Sequence, residues 1–100
     1  MALNLTTKKE GSALAVVLEG ELNTTTAPEL KDLLDKSIPE TDALSLDFAG
    51  CDFVSSAGLR VLLTAQKFMS KQGSMKLINV KEDVNEIFEV TGFSDILTIE

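Results

Sequence analysis

Hydrophobic and polar positions alternate along the first part of the chain, as in two neighbouring strands. Apolar residues recur at every second position of residues 2–8, and side chains of a strand point alternately to its two faces. A turn at residues 10–12 precedes a more apolar run at residues 13–18, which Gly20 closes. The pattern predicts an antiparallel hairpin at the edge of a sheet.

Three later segments place apolar residues three and four positions apart, which is typical of amphipathic helices. The first predicted helix spans residues 27–37 after a cap from Thr25 or Thr26, because a threonine hydroxyl can accept a backbone N–H bond there. The second spans residues 57–72 and the third residues 81–90. The inward positions of the second helix are Val61, Leu62, Ala65, Phe68 and Met69.

Two further apolar strands lie between the helices. Residues 43–48 form the clearest strand, followed by a turn at residues 50–52, and residues 75–79 form a shorter one. Residues 93–99 are predicted as a docked strand or short helix. Strands separated by helices pair in parallel. Residues 1–100 therefore predict a single α/β domain with a mixed, mostly parallel sheet, an antiparallel N-terminal edge strand and three to four helices.

Composition and charge exclude several functions. The formal net charge is −7, with 9 Lys and Arg against 16 Asp and Glu, so neither a nucleic acid nor an anionic membrane is expected as a partner. The chain has no histidine and no glycine-rich phosphate-binding motif, so we expect no metal or cofactor, and ATP must come from another protein. A single cysteine, no membrane-length apolar run and no leader-like N-terminus indicate a cytoplasmic protein.

Two adjacent serines, Ser55 and Ser56, stand where the clearest strand meets the second predicted helix. A serine at a helix start accepts a backbone N–H bond worth about 1 kcal/mol, a structural role that requires no function. The same N–H groups and the helix dipole also stabilise a phosphate, to which Arg60 can add a charge-assisted bond. Nucleophilic catalysis by Ser56 or Cys51 is not expected, because there is no histidine to act as base. The junction therefore predicts a helix cap or a phosphorylation site, and no enzyme.

The order of elements and the segment LDFAGCDFVSSAGL at residues 46–59 resemble the STAS family, specifically its bacterial anti-sigma factor antagonists. The family pattern is a strand ending in Asp-Leu-Ser-Gly, a short connection, and Asp-Ser-Ser-Gly-Leu opening a helix. Residues 20–23 resemble the family's Gly-x-Leu-Asp before the first helix, and residues 89–93 resemble its closing helix and turn. The resemblance extends over nearly the whole chain.

This resemblance implies that the protein binds an anti-sigma factor that is also a serine kinase. This binding releases a sigma factor from the anti-sigma factor. Phosphorylation by that partner, which supplies the ATP, breaks the complex, and a phosphatase restores it. The phosphorylated serine of the family corresponds to Ser56, with Ser55 as the second choice, and the protein is expected as a monomer or weak dimer. The implied partner-binding residues are Asn23, Thr24, Thr25, Ser55, Ser56, Ala57, Gly58, Leu59 and Arg60.

Two positions depart from the family pattern. Ser55 stands where the family has an acidic residue before the acceptor, and Asn23 stands where it has an aspartate. Both replacements remove a negative charge from the expected partner surface. The alternative function is therefore a STAS scaffold subunit that is not phosphorylated, within a signalling or lipid-transport complex.

Overall fold

The N-terminal hairpin forms one edge of the sheet, as the alternating pattern predicts. In the computed structural model, which describes residues 3–100, strand β1 (Leu3–Glu10) pairs antiparallel with strand β2 (Ala13–Leu22). Gly11 makes the turn with a φ of 59°, a left-handed conformation that glycine adopts without a Cβ penalty. The predicted end of the second strand at Gly20 is wrong, because pairing with the next strand of the sheet continues β2 to Leu22. The predicted start of the first strand at Ala2 lies outside the described residues.

The other two strands pair in parallel. Strand β3 (Ala43–Val54) lies between β2 and strand β4 (Ser74–Ile78), giving the order β1-β2-β3-β4. The predicted mixed, mostly parallel sheet with an antiparallel edge strand is confirmed.

The predicted turn at residues 50–52 is wrong, because β3 runs through it. Cys51 is fully buried, and Gly50 lies so close to β2 that an added Cβ would be 2.9 Å from Glu19 Cγ. The pairing with β2 shifts register on either side of this contact, as at β-bulges. Glycine here permits a close approach of two strands rather than a turn.

Over residues 3–100, three α-helices connect and follow the strands, in agreement with the prediction of three to four. They are α1 (Ala27–Ser37), α2 (Ser56–Gln72) and α3 (Glu82–Thr91). The chain then forms a 3₁₀ turn at Phe93–Asp95, and Ile99 bridges to β4. Another 3₁₀ turn, Ile38–Glu40, follows α1.

One face of the sheet and the inner faces of the helices form the core. At its centre the rings of Phe48 and Phe88, both fully buried, meet edge to face with centroids 6.1 Å apart. The sequence pattern also placed Phe68 in this core, and that prediction is wrong because its side chain is 52% exposed. Phe68 lies on the flank of α2 that faces α1 across an open groove, rather than on the stripe that faces the sheet.

Candidate functional site

The predicted partner-binding residues come from one loop and from the start of α2, which meet at one edge of the sheet, although Gly58 and Leu59 are buried there and are not exposed to a partner. Leu22 at the end of β2 is paired with Val54 at the end of β3, and the Ser55 N–H donates to the Leu22 carbonyl at 2.8 Å. Because β2 and β3 are parallel, the residues that follow them lie side by side. The structure thus brings together the loop from Asn23 to Thr25 and the start of α2.

Ser55 is the cap of helix α2. Its backbone is extended, with φ −88° and ψ 174°, and its Oγ accepts the Gly58 N–H at 3.3 Å. Its carbonyl accepts the Leu59 N–H at 2.9 Å, which is the first bond of the helix. The half-buried Ser55 hydroxyl therefore has the structural role that capping chemistry requires.

Ser56, in contrast, is the first residue of α2 and is exposed. Within residues 3–100, its hydroxyl makes no hydrogen bond, and no group accepts from the N–H groups of Ser56 and Ala57. The first turn of α2 contains no acidic residue, whereas the first turns of α1 and α3 do. Ser56 thus presents an accessible hydroxyl at the positive end of a helix dipole. No acidic side chain in that turn would repel a phosphate on it.

The loop from Asn23 to Thr25 is held by the side chain of Asn23. Its Oδ1 accepts the N–H groups of Thr25 and Thr26, both at 3.0 Å. Thr26 occupies the predicted cap position of α1, but its hydroxyl makes no cap bond. It is buried and donates to the Glu21 carbonyl at 2.7 Å. The predicted cap position at Thr26 is therefore correct, but the predicted bond from its hydroxyl is wrong. Asn23 instead accepts two N–H groups of this turn, as an asparagine can for residues two and three positions later.

The groups that a nucleophilic mechanism needs are engaged elsewhere. Asp47 accepts the Ala49 N–H at 2.9 Å and the Asn79 amide at 3.2 Å, and Asp52 forms an ion pair with Lys81. Burial raises the pKa of the Cys51 thiol, so the reactive thiolate is disfavoured.

No group of three or more potential ligands is placed to hold a metal ion in residues 3–100. Over the same residues, no helix has the length and apolarity needed to cross a membrane.

Solved structures share this architecture. An anti-sigma factor antagonist from Mycobacterium paratuberculosis superimposes with a TM-score of 0.88 at 18% identity, over 98% of this chain and 85% of the other. The Bacillus cell fate determinant SpoIIAA, in its phosphorylated form, gives a TM-score of 0.74 at 17% identity, over 99% and 91% of the two chains. At these identities the likeness concerns the fold.

Sequence relatives extend over nearly the whole chain as well. BtrV of Bordetella bronchiseptica, which carries the name of an anti-sigma factor antagonist, is 34% identical over 97% of this chain and 85% of its own. The anti-sigma-B factor antagonist of Bacillus subtilis is 30% identical over 99% of this chain and 92% of its own. The family model for the STAS domain matches residues 4–100. The chain therefore belongs to the STAS domain family.

Proposed function

We propose that this protein is an anti-sigma factor antagonist, a regulatory protein that acts by binding an anti-sigma factor and is switched off by phosphorylation of Ser56. The observation that carries the proposal is that the two serines at the start of α2 have different roles. Ser55 caps the helix through its bond to Gly58, and Ser56 is exposed. A kinase can therefore modify Ser56 without removing the cap.

The relatives support the regulatory role. BtrV and the Bacillus subtilis protein carry the name of anti-sigma factor antagonists, and SpoIIAA, which shares the fold, has been solved in a phosphorylated form. The proposed partner is accordingly an anti-sigma factor with serine kinase activity, which supplies the ATP, and a phosphatase reverses the modification.

The effect of the phosphate follows from charge. A phosphoserine adds about −1.5 to −2 charges near neutral pH, and the Ser56 and Ala57 N–H groups are placed to hold it. The same charge opposes a partner surface that is apolar or acidic, because the phosphate is costly to desolvate there. Unmodified protein binds the anti-sigma factor, and phosphorylated protein releases it.

The test is to incubate the purified protein with the anti-sigma factor kinase of the same organism and ATP, and to locate phosphate by mass spectrometry. We expect phosphate on Ser56 in the wild type and in Ser55→Ala, and none in Ser56→Ala. Ser56→Ala should bind the partner constitutively and Ser56→Glu poorly. Phosphate on neither serine in the wild type would refute the switch.

The alternative function is an unphosphorylated scaffold subunit. The observation in its favour is that Ser55 and Asn23 lack the negative charges of the family pattern at their positions. It predicts that a pull-down from native extract recovers a transport or signalling complex instead of an anti-sigma factor. Recovery of a kinase that phosphorylates Ser56 would exclude it.

A further inference from the structure

A groove runs between α1 and α2, beginning beside Ser56. One wall follows α1 from Ala27 and ends at Ile38 in the 3₁₀ turn after it, and the other follows α2 from Ala57 to Phe68. Both helices follow parallel strands that end at the same edge of the sheet, so the groove starts at the proposed partner surface and extends away from it along the helices. We call it the α1–α2 groove.

Several of the side chains that line the groove are small. Ala27, Ala57 and Ala65 line it, and none of them is long enough to fill the space between the helices. The volume is about 230 Å³, whereas pockets for drug-sized molecules measure roughly 300–1,000 Å³. At roughly 30 Å³ for each water-sized group, the space suits one or two large apolar side chains of another protein.

Two cations lie on the rim of the groove, and their environments differ. Lys31 is paired with Asp35, Nζ to Oδ2 at 2.7 Å, so this pair is neutral overall. Among residues 3–100, no carboxylate lies within ion-pair distance of the exposed Arg60. On a protein with a net charge of −7, the groove thus carries an uncompensated positive charge next to an apolar surface.

We propose that the α1–α2 groove binds a segment of the anti-sigma factor in which one or two large apolar residues stand beside an acidic residue. The apolar side chains fill the space between the helices and cover Phe68, and the acidic side chain pairs with Arg60. This inference rests on the proposed function, since it names the chemistry of that partner. It also extends the contact surface to residues that the sequence motifs do not contain.

The groove also connects binding to the switch. Ser56 and Arg60 are four residues apart on one helix, so their side chains are neighbours. A phosphate on Ser56 is then within reach of Arg60 and competes with the acidic residue of the partner.

The experiment measures the affinity of purified variants for the purified anti-sigma factor by calorimetry. Phe68→Asp should weaken binding at least tenfold, because an exposed aromatic anchor at an interface is a typical hot spot. Val90→Asp is the matched control, because Val90 is 88% exposed, lies on α3 and undergoes the same change of charge. Arg60→Glu should weaken binding by a similar factor and reduce its salt dependence, and Lys67→Glu, on the same helix but outside the groove, should not.

Unfolding midpoints of these four variants and of Ser56→Glu are measured first to confirm that the fold is kept. Wild-type affinity in both Phe68→Asp and Arg60→Glu, with Ser56→Glu still weak, would overturn the groove and leave the proposed function intact. An equal loss in Val90→Asp and Phe68→Asp would also overturn it. If the wild type binds no anti-sigma factor, both proposals are wrong.

Discussion

The clearest test of the site separates two neighbouring serines by their effect on stability. Ser55→Ala removes the hydroxyl that accepts the Gly58 N–H. Ser56→Ala removes a hydroxyl that has no hydrogen-bond partner within residues 3–100. Two chemically identical changes, one residue apart, should therefore have different consequences for folding.

The size of the difference follows from the geometry. Replacing a capping serine by alanine costs about 0.5–2 kcal/mol. The bond from Gly58 to Ser55 is 3.3 Å long, longer than the most common N–H···O distance of about 2.9–3.0 Å. We therefore expect Ser55→Ala to lower the free energy of unfolding by about 0.5–1 kcal/mol, or roughly 2–8 °C in melting temperature. Ser56→Ala should stay within about 0.5 kcal/mol of wild type, as exposed substitutions usually do.

Urea denaturation followed by circular dichroism measures both variants, with Ser55→Asp as the matched control. Aspartate caps helices as well as serine does, and its charge interacts favourably with the positive end of the dipole. Ser55→Asp should therefore be at least as stable as wild type. The assignment of the cap would be refuted if Ser56→Ala were as unstable as Ser55→Ala, or if Ser55→Asp were as unstable as Ser55→Ala.

Three further predictions concern the fold. Gly73→Ala should cost about 3 kcal/mol in urea denaturation, because its Cβ would lie 1.8 Å from the Asp42 carbonyl oxygen; wild-type stability would contradict this contact. Phe88→Ala should cost about 3–5 kcal/mol, because the ring is fully buried; a loss below about 1 kcal/mol would contradict its place in the core. Burial raises the pKa of the Cys51 thiol, so above the ordinary thiol pKa the unfolded chain releases a proton that the folded chain retains. The wild type should therefore lose stability relative to Cys51→Ala as the pH rises through that range. Urea midpoints of the two proteins that change in parallel from neutral to alkaline pH would contradict this.

Periodicity predicted the order and type of the elements because each buried face is strongly marked along the chain. It failed where tertiary contacts outweigh local preference. Gly50, Cys51 and Asp52 have the composition of a turn, yet pairing with β2 and the burial of Cys51 keep them in β3. Phe68 has the spacing of a core residue, but its side chain lies on the flank of α2 that faces α1, and that position depends on how the two helices pack, which no local pattern reveals.

The location of the candidate site could be predicted from the sequence, but the hydrogen-bonding roles of its side chains could not. Motif order located both serines at the start of α2, but the cap depends on where the backbone changes from extended to helical. That change occurs at Ser55, whose ψ is 174°, and a shift of one residue toward the C-terminus would make Ser56 the cap and leave Ser55 outside the helix. Likewise, Asn23 was assigned to the partner surface, while its bonds to Thr25 and Thr26 depend on the conformation of the loop.

The close packing of α2 against β2 predicts how the proposed phosphorylation of Ser56 would act. The Ser55 N–H is bonded to the Leu22 carbonyl at 2.8 Å, and a Cβ added to Gly58 would lie 2.7 Å from Leu22 Cγ. The first turn of α2 is therefore fixed to the end of β2 on the side opposite to the exposed Ser56. A phosphate on Ser56 should act as a surface charge and leave the helix folded, since anions at a helix N-terminus are stabilising. Hydrogen exchange of the α2 amides should be unchanged or slower in the phosphorylated protein, and faster exchange along α2 would instead indicate that the phosphate unfolds the helix.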